Sequence, residues 1–334
     1  MTTGVFLYLI IFLAALNPLQ LLAAPDDRDY SPFTTRDQNL FNMIHGQGLP
    51  ANAALLAPAQ QLWSTSLSIA NAINIESPGD EYLHLDYESY RLNLSWQYGL
   101  NENWNIKLDV PLLYQSGGIF DTAIDQWHRL FGMPRGKRPY IENNQYRVSY
   151  SLAGDTLFEQ DSGSFNPADI QLSAGRRLLK KTGSELSLWA GLKLPSGNED
   201  RLSGSGTTDI AAWLALNRQL SDNWLLNANA GLVIPGQNSY RGMTVAGNVW
   251  YGHAMLGWLF NETVQLKLQL QGHTSYYPDS QTKILGDTVF VMFGGSININ
   301  HCNRLDISVS EDILVDASPD ISLLLNWRYY TSGC

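Results

Sequence analysis

The stretch NWNIKLDVPLLY (residues 103–114) alternates polar and apolar side chains with a period of two. One face of the predicted strand carries Trp104, Ile106, Leu108, Val110, Leu112 and Tyr114. The other face carries Asn103, Asn105, Lys107, Asp109 and Pro111. Such alternation is typical of a β-strand whose two faces meet different surroundings. In a water-soluble sheet the apolar face packs on a core, whereas in an outer-membrane barrel it faces lipid and the polar face lines a lumen.

The same period recurs along the chain and predicts about twelve strands. They are placed at 62–75, 81–99, 103–115, 168–179, 184–195, 208–219, 223–235, 247–260, 263–276, 287–299, 303–315 and 320–330. Connections alternate between short ones (LNEN, KKTG, LSDN, NE, NHCN) and long ones, of which 116–167 is the longest. Bacterial barrels have short periplasmic turns and long extracellular loops, so this alternation gives each strand a direction. We therefore expect an all-β fold, a transmembrane antiparallel β-barrel over residues 62–330 with both termini in the periplasm.

Tryptophan placement favours the membrane barrel over a soluble β-sandwich. Six tryptophans flank the short turns: Trp63, Trp96, Trp104, Trp224, Trp258 and Trp327. Amphipathic aromatic rings collect at membrane–water interfaces, whereas a soluble sandwich gives no reason to gather them at one end of its hairpins. The formal net charge is -10 and like charges form no long block, which argues against a nucleic-acid partner.

The segments outside the barrel have their own signatures. Residues 1–24 are almost continuously apolar and end in two alanines, which predicts an export signal; an uncleaved anchor helix is the alternative. Residues 25–61 are too long and too apolar for a simple tether, so we expect a periplasmic segment that either drapes outside or inserts as a plug. Residues 331–334 form a short C-terminal tail. After residue 24 no apolar run reaches the length of a membrane helix.

The strand parity assigns charged side chains to the lumen. These are Arg91, Lys107, Asp109, Asp169, Arg177, Lys193, Asp209, Lys267, Arg304, Asp306, Asp312 and Arg328. Both signs occur, so the pattern predicts no strong selectivity between anions and cations. Two readings stay open, a ladder of ion pairs that stabilises the barrel and a track for a solute.

The loop 116–167 contains FDTAIDQWHRLF, which predicts a helix near 120–131 with Asp121 as its cap. Such a helix could form a lid or constriction at the barrel mouth. The basic run RGKR follows this helix. It could bind lipopolysaccharide phosphates or an anionic solute, or it could simply be a solvated turn. The candidate constriction or lipid-binding residues of this loop are Asp121, Asp125, Trp127, His128, Arg129, Arg135, Lys137 and Arg138.

Two strands depart from strict alternation. Apolar parity changes near Tyr87–Tyr90, which a bulge or a protrusion beyond the membrane would explain. Glu311 shares parity with Val309 and Ile313, and we expect a bulge there to keep the carboxylate from lipid.

The sequence contains few candidate catalytic or metal-binding motifs. His273 and Ser275 share a strand face, as a histidine and a serine do in outer-membrane phospholipases, but no third catalytic group is identifiable. The histidines are scattered and no phosphate-cradling glycine motif occurs, so we expect no metal, no cofactor and no enzymatic activity. Cys302 and Cys334 could form a disulfide in an oxidising compartment.

Three blocks of the chain carry a family resemblance. SPFTTRDQNLFNMIHGQGLP, DTAIDQWHRLFGMPRGKRP and ISVSEDILVDASPDISLLLNWRYY resemble the recurring blocks of a proteobacterial family of predicted outer-membrane proteins catalogued as a domain of unknown function. GLKLPSGNEDRLSGSGTTDIA resembles a strand–loop–strand of putative outer-membrane transporters for hydrophobic or aromatic compounds. In that segment Asp209 could simply pair with a lumenal cation such as Lys193. The resemblance implies a location and a fold, not a reaction.

These observations lead to three functional hypotheses. The first is a passive outer-membrane channel for small solutes, hydrophobic ones among them, closed by the N-terminal segment or by the loop 116–167. The second is a non-conducting barrel that binds envelope lipid, such as lipopolysaccharide, or a partner through that loop. The third is a lipid hydrolase. The last strand resembles the C-terminal signal that the barrel-assembly machinery recognises, so this machinery is an expected partner during biogenesis.

Overall fold

The computed structural model describes residues 29–131, 141–313, 318–319 and 321–331. Its strands are β1 (Gln61–Glu76), β2 (Glu81–Asn101), β3 (Trp104–Ser116), β4 (Arg147–Leu152), β5 (Asp155–Gln160), β6 (Ser164–Pro167), β7 (Gln171–Lys181), β8 (Ser184–Lys193), β9 (Asp209–Gln219), β10 (Trp224–Ile234), β11 (Ser239–Tyr240), β12 (Met243–Thr244), β13 (Val249–Leu259), β14 (Val264–His273), β15 (Thr288–Asn298), β16 (Asn303–Asp312) and β17 (Ile321–Tyr330). The helices are α1 (Leu40–Met43) and α2 (Asp121–Phe131), with 3-10 turns at Glu199–Arg201 and Lys283–Leu285. Within these residues no helix is long and apolar enough to cross a membrane.

Twelve of the described strands close into an antiparallel barrel. Their order is β1, β2, β3, β7, β8, β9, β10, β13, β14, β15, β16 and β17, and β17 pairs back with β1 from Leu62↔Tyr330 to Asn71↔Ile321. The expected fold class and strand number are confirmed. Three further strands extend the sheet beyond the barrel proper: β4 pairs with β2, β5 pairs with β4, and β6 pairs with β3.

The two faces of each barrel strand differ as the alternation predicts. On β9 and β14 the outward-pointing Leu214 and Leu268 are 44% and 52% exposed. Their sequence neighbours Ala215 and Gln269 point into the lumen and are fully buried. Apolar side chains in this exposed position are stabilised when lipid rather than water surrounds the barrel. We call the two sides the outer face and the lumen.

The barrel has a turn end and a loop end. At the turn end, short connections join β2 to β3, β7 to β8, β9 to β10, β13 to β14 and β15 to β16. On the outer face at this end Trp224 and Trp258 stack with ring centroids 6.1 Å apart, and Trp63 lies 6.3 Å from Trp96. These pairs belong to the predicted aromatic girdle. The longer connections emerge at the opposite loop end.

The two irregular strands resolve differently. The β1–β2 register runs unbroken from Gln61↔Tyr98 to Glu76↔Leu83, so the parity change in β2 is not a bulge against β1. It lies where β2 extends past its last pairing with β3, Glu88↔Ser116, and pairs with β4 instead. The bulge expected at Glu311 is absent, because the β15–β16 register continues through Val291↔Glu311. Glu311 instead lies on the outer face next to the loop end, where it is only partly buried. The hairpin β4–β5 was not expected from the sequence pattern.

Candidate functional site

The lumen contains residues 29–60, which we call the N-terminal hairpin. Its ascending leg, residues 29–37, runs from the turn end to the loop end beside β14. Helix α1 forms the tip, and residues 45–56 descend beside β9 and β10. Of the residues from Asp29 to Pro50, all but Tyr30 and Thr34 are buried.

Strand β14 holds the ascending leg by its backbone. Alternate lumen residues of the strand bind alternate residues of the leg, each pair separated by 236 positions. The contacts are Lys267 Nζ to the Ser31 carbonyl at 2.7 Å, the Phe33 N–H to Gln269 Oε1 at 2.8 Å, Gln269 Nε2 to the Phe33 carbonyl at 3.1 Å, Gln271 Nε2 to the Thr35 carbonyl at 3.1 Å, and His273 Nε2 to Asp37 Oδ2 at 3.2 Å. A side-chain amide therefore satisfies backbone groups that would otherwise be buried without partners.

Three asparagines hold the descending leg in the same way. Asn229 accepts from the Ala51 N–H at 2.8 Å and donates to the Ala51 carbonyl at 3.1 Å. Asn227 donates to the same carbonyl at 3.1 Å, and Asn217 accepts from the Ala53 N–H at 3.3 Å. These amides lie on the neighbouring strands β9 and β10. Strand β14 thus binds the ascending leg, and β9 and β10 bind the descending leg.

The tip of the hairpin builds a hydrophobic core at the loop end. Leu40, Phe41 and Ile44 are buried there, and Phe41 meets Phe158 of β5 edge-to-face with ring centroids 5.9 Å apart. Asn39 caps helix α1 by accepting from the Phe41 N–H at 2.9 Å. Strands β4 and β5 thus bring part of the loop 116–167 into contact with the tip of the hairpin.

A charge cluster ties the start of the hairpin to the turn end. Arg328 donates to both carboxylate oxygens of Asp29, at 3.0 and 2.6 Å, and to both oxygens of Asp306, at 2.9 Å each. Lys267 lies 3.2 Å from Asp306, and Arg304 lies 3.4 Å from Asp29. Burial acts to raise the pKa of Asp29, but the charges of Arg328, Lys267 and Arg304 outweigh it and hold this pKa well below its ordinary value.

A second charge cluster lies at the loop end, where the hairpin turns downward. Lys193 Nζ is 2.8 Å from Asp169 and 3.2 Å from Asp209, and it donates to the Ile44 carbonyl at 3.0 Å. Asp209 also accepts from the Gly46 N–H at 2.8 Å. The pairing suggested for Lys193 and Asp209 is present, and both residues also bind the hairpin.

His45 is fully buried beside this second cluster. Its ring stacks on Tyr276 with centroids 4.4 Å apart, and its Nε2 lies 3.1 Å from the Tyr277 hydroxyl. Burial, reinforced by the nearby Lys193 and His273, lowers the pKa of His45 well below its ordinary value. The docked hairpin therefore holds this imidazole in its neutral form.

The remaining lumen candidates are spread along the barrel. Lys107 is 3.2 Å from Asp109, whose carboxylate also accepts from Asn93 at 3.1 Å. Arg91 is buried on the lumen side of β2. Arg177 donates to the Leu55 carbonyl at 3.4 Å, near the end of the descending leg. Asp312 is partly buried at the loop end of β16, opposite Phe290.

Helix α2 lies where the sequence predicts it, but it packs on the outer face. Asp121 accepts from Asn71 at 2.8 Å, and Glu88 accepts from the Phe120 N–H at 3.1 Å. Asn71 and Glu88 point away from the lumen, because their neighbour Tyr87 points inward and donates to the Gln38 carbonyl at 3.1 Å. The described helix residues therefore do not narrow the lumen, contrary to the expected constriction.

Other loop candidates have no lumenal role in the described residues. Asp125 and Arg129 form an i,i+4 ion pair at 3.2 Å, and the arginine is largely exposed. Trp127 and His128 lie on the helix, with side chains outside the described part. Arg135, Lys137 and Arg138 lie outside the described residues, as do the predicted signal 1–24 and Cys334, so the disulfide considered for Cys302 and Cys334 is not tested.

Sequence reasoning missed a pair of lumenal tryptophans. Trp189 of β8 and Trp213 of β9 stack with centroids 6.0 Å apart and planes 10° apart, and both are buried. Gly48 of the descending leg packs against Trp213 and Tyr251: a Cβ atom built there would lie 2.8 Å from Trp213 Cε3 and 2.4 Å from Tyr251 Oη. The alternation in β8 and β9 places both tryptophans on the lumenal face, but apolar side chains were assigned to the lipid face.

The His273–Ser275 pair does not have the geometry of a nucleophile and its base. The Ser275 hydroxyl donates to the Leu285 carbonyl at 2.6 Å, while His273 faces Asp37. The described residues contain no group of three or more His, Cys, Asp or Glu side chains that could hold a metal ion.

The barrel resembles several outer-membrane channels of known structure. The COG4313 outer membrane channel from Pseudomonas putida F1 is 12% identical, with a TM-score of 0.56, over 84% of this chain and 98% of that one. The KdgM porin solved with disordered oligogalacturonate (7% identity, TM-score 0.42, 81% and 98% covered) and the Ralstonia pickettii toluene transporter TbuX (8%, 0.38, 82% and 90%) are more distant. At these identities the likeness shows the fold alone.

No curated protein sequence matches this chain. A family model does match it, over residues 8–330, which include the whole barrel and the N-terminal hairpin. The chain therefore belongs to the family described as Protein of unknown function (DUF3187), and it folds as a channel barrel of the outer-membrane type.

Proposed function

We propose that this protein is a passive outer-membrane channel for small solutes, closed in the present structure by its N-terminal hairpin. One observation carries the proposal. Most of the bonds that hold residues 31–53 to the barrel involve wall side chains such as Gln269 and Asn229, and the Asn39 side chain of the hairpin adds one to the Ile284 carbonyl. The strands, in contrast, bind one another through their own backbone ladder. The hairpin can therefore leave without breaking a strand pairing.

The small size of one cavity between the hairpin and the wall supports a closed state. A cavity of about 60 Å³ lies between the hairpin and the wall, bounded by Ser31, Pro50, Ser95, Lys107 and Arg328 among others. A volume of this size holds only a few water molecules. A twelve-stranded barrel encloses a wider lumen than an eight-stranded one, which side chains alone can fill, so the hairpin accounts for the closure.

The lining points to water-soluble solutes rather than long hydrocarbons. With the hairpin absent, the wall would present amides, hydroxyls and charges of both signs. Its aromatic surface would include Trp189, Trp213 and Tyr251 beside the descending leg, and Tyr87, Tyr276 and Tyr277 near the tip. Trp213 Nε1 is buried with no hydrogen-bond partner among the described residues, so it could serve a polar group of a passing solute. The hydrophobic solutes considered from the sequence find support in this aromatic surface.

The same geometry supports an orientation of the barrel in the membrane. The hairpin begins and ends at the turn end, where β17 also ends. The tryptophan girdle surrounds this end of the barrel. We assign the turn end to the periplasm, because short turns face the periplasm in bacterial barrels and the predicted export signal precedes the hairpin.

Planar-bilayer conductance tests the proposal. The wild type, a variant whose residues 31–53 are replaced by a short Gly-Ser linker, and a variant lacking residues 119–131 are compared. We expect rare openings from the wild type and from the helix-less variant, and sustained current from the hairpin-less variant. Equal current from all three, with heat-modifiable migration showing that each barrel is folded, would refute the closure. Liposome swelling with several compound classes would then identify the solutes that pass.

A further inference from the structure

The cluster at the turn end has an excess of positive charge on the barrel wall. The wall supplies Lys267 from β14, Arg304 from β16 and Arg328 from β17, against one carboxylate, Asp306. Three positive charges and one negative charge leave the wall at +2 without the hairpin. Asp29 lowers this excess to +1. The wall alone is therefore built to receive a carboxylate.

The Asp29 carboxylate lies among these three cations in the position that a bound carboxylate ligand would take. Its two oxygens take Arg328 Nη1 and Nη2 at 3.0 and 2.6 Å, which is the planar bidentate match of guanidinium and carboxylate. Arg304 Nη1 lies 3.4 Å away and Lys267 Nζ 3.8 Å away, so three wall cations surround one carboxylate. The Asp29 side chain is only 5% exposed.

A cavity next to the Asp29 carboxylate could hold the rest of a small acid. The cavity of about 60 Å³ touches Arg328 on the side of Ser31 and Pro32. Ser64, Ser95 and Gln97 supply polar atoms on its other walls. A small carboxylic acid whose carboxylate sits on Arg328 would direct the rest of its body into this cavity, whose walls also include Leu62, Trp189 and Trp213.

We propose that Lys267, Arg304 and Arg328 form a carboxylate-binding site of the lumen, and that Asp29 is its built-in ligand, which a carboxylate-bearing solute replaces. The inference deepens the proposed channel function by naming a solute class, and its passage through the pore rests on that function. Binding of the acid does not rest on the channel function, because a free acid can enter the site in any variant that lacks the Asp29 carboxylate. The low pKa of Asp29 keeps the built-in ligand ionised, so it competes for the cations at every ordinary pH.

Chemical rescue of the full-length protein tests the site. Asp29→Ala leaves the three cations with Asp306 alone, and it should lower the midpoint temperature of heat-modifiable migration in chloride. Sodium acetate in place of sodium chloride, at equal ionic strength, should restore several degrees in Asp29→Ala and change the wild type little. The matched control is Asp125→Ala, which also removes an aspartate paired with an arginine, on the exposed helix α2; acetate should leave it unchanged.

A second variant separates specific binding from general stabilisation. Asp29→Ala combined with Arg328→Met should lose the rescue, since the bidentate partner is gone. Equal midpoints in acetate and chloride for Asp29→Ala, or rescue that persists without Arg328, would overturn the carboxylate site. If Asp29→Ala does not fold, acetate binding by Asp29→Asn, measured by calorimetry, decides the same question. A barrel that shows rescue but never conducts would refute the channel and leave the site intact.

Discussion

Gly48 offers the sharpest way to disturb the docked hairpin without touching the barrel. A Cβ atom at this position would lie 2.4 Å from Tyr251 Oη, 2.8 Å from Trp213 Cε3 and 2.9 Å from Trp213 Cζ3. Both neighbours are rigid aromatic groups packed in the lumen, so the descending leg must move rather than the wall. Gly48→Val should therefore weaken docking of the hairpin while every strand pairing remains.

The expected size of this effect comes from overpacking. Forcing extra methyl groups into a packed site costs about 1–3 kcal/mol. If this strain is relieved when the hairpin leaves, the ratio of open to closed channels rises roughly 5- to 150-fold, since every ~1.4 kcal/mol is tenfold. Single-channel recording measures that ratio directly as open probability.

Gly247→Val is the matched control, because a Cβ atom at Gly247 would meet nothing within 4 Å. It should leave the open probability at the wild-type value. If Gly48→Val and Gly247→Val opened equally often, or if Gly48→Val never opened while remaining a folded barrel, the assignment of closure to the descending leg would be refuted.

Three further predictions follow from single contacts. Asn229→Ala removes two hydrogen bonds to Ala51 and should raise open probability by the equivalent of about 1–3 kcal/mol, measured in the same recordings. His45 is neutral when docked but protonates near 6.5 when released, so docking should weaken as pH falls below that value, by up to ~1.4 kcal/mol per pH unit. Wild-type current should then rise on acidification, and His45→Gln should flatten this rise. Glu88→Gln weakens a charged cap of helix α2 by about 1 kcal/mol and should lower thermal stability slightly without changing conductance.

The barrel itself was predictable because lipid and lumen impose opposite polarity on alternate residues. Strand β9, expected at 208–219, is observed at Asp209–Gln219, and β16, expected at 303–315, is observed at Asn303–Asp312. The same parity placed Lys193, Asp209 and Lys267 in the lumen. It could not say what these side chains contact there.

A plug was one of the two alternatives that the sequence offered for residues 25–61, but the path of the hairpin was not predicted, because its residues lack any period. Residues 31–53 form no regular element beyond the single turn of α1, so their place depends on wall contacts. Those contacts are made largely by neutral amides such as Gln269 and Asn229, which a search for charges passes over. Helix α2 was predicted from its apolar spacing, but spacing does not specify which side of the barrel the helix covers. The outer position follows from the protruding β1 and β2, whose outward side chains Asn71 and Glu88 bind its first turn.

A reversible cross-link between the hairpin and the wall tests the central claim most directly. Thr35 Oγ1 and Ser68 Oγ of β1 lie 3.2 Å apart, so cysteines at these two positions should form a disulfide that fixes the ascending leg. On a Gly48→Val background, the reduced double-cysteine protein should conduct, oxidation should abolish the current, and reductant should restore it, while each single-cysteine protein conducts throughout. Unchanged current from protein shown by mass spectrometry to be fully cross-linked would contradict the account.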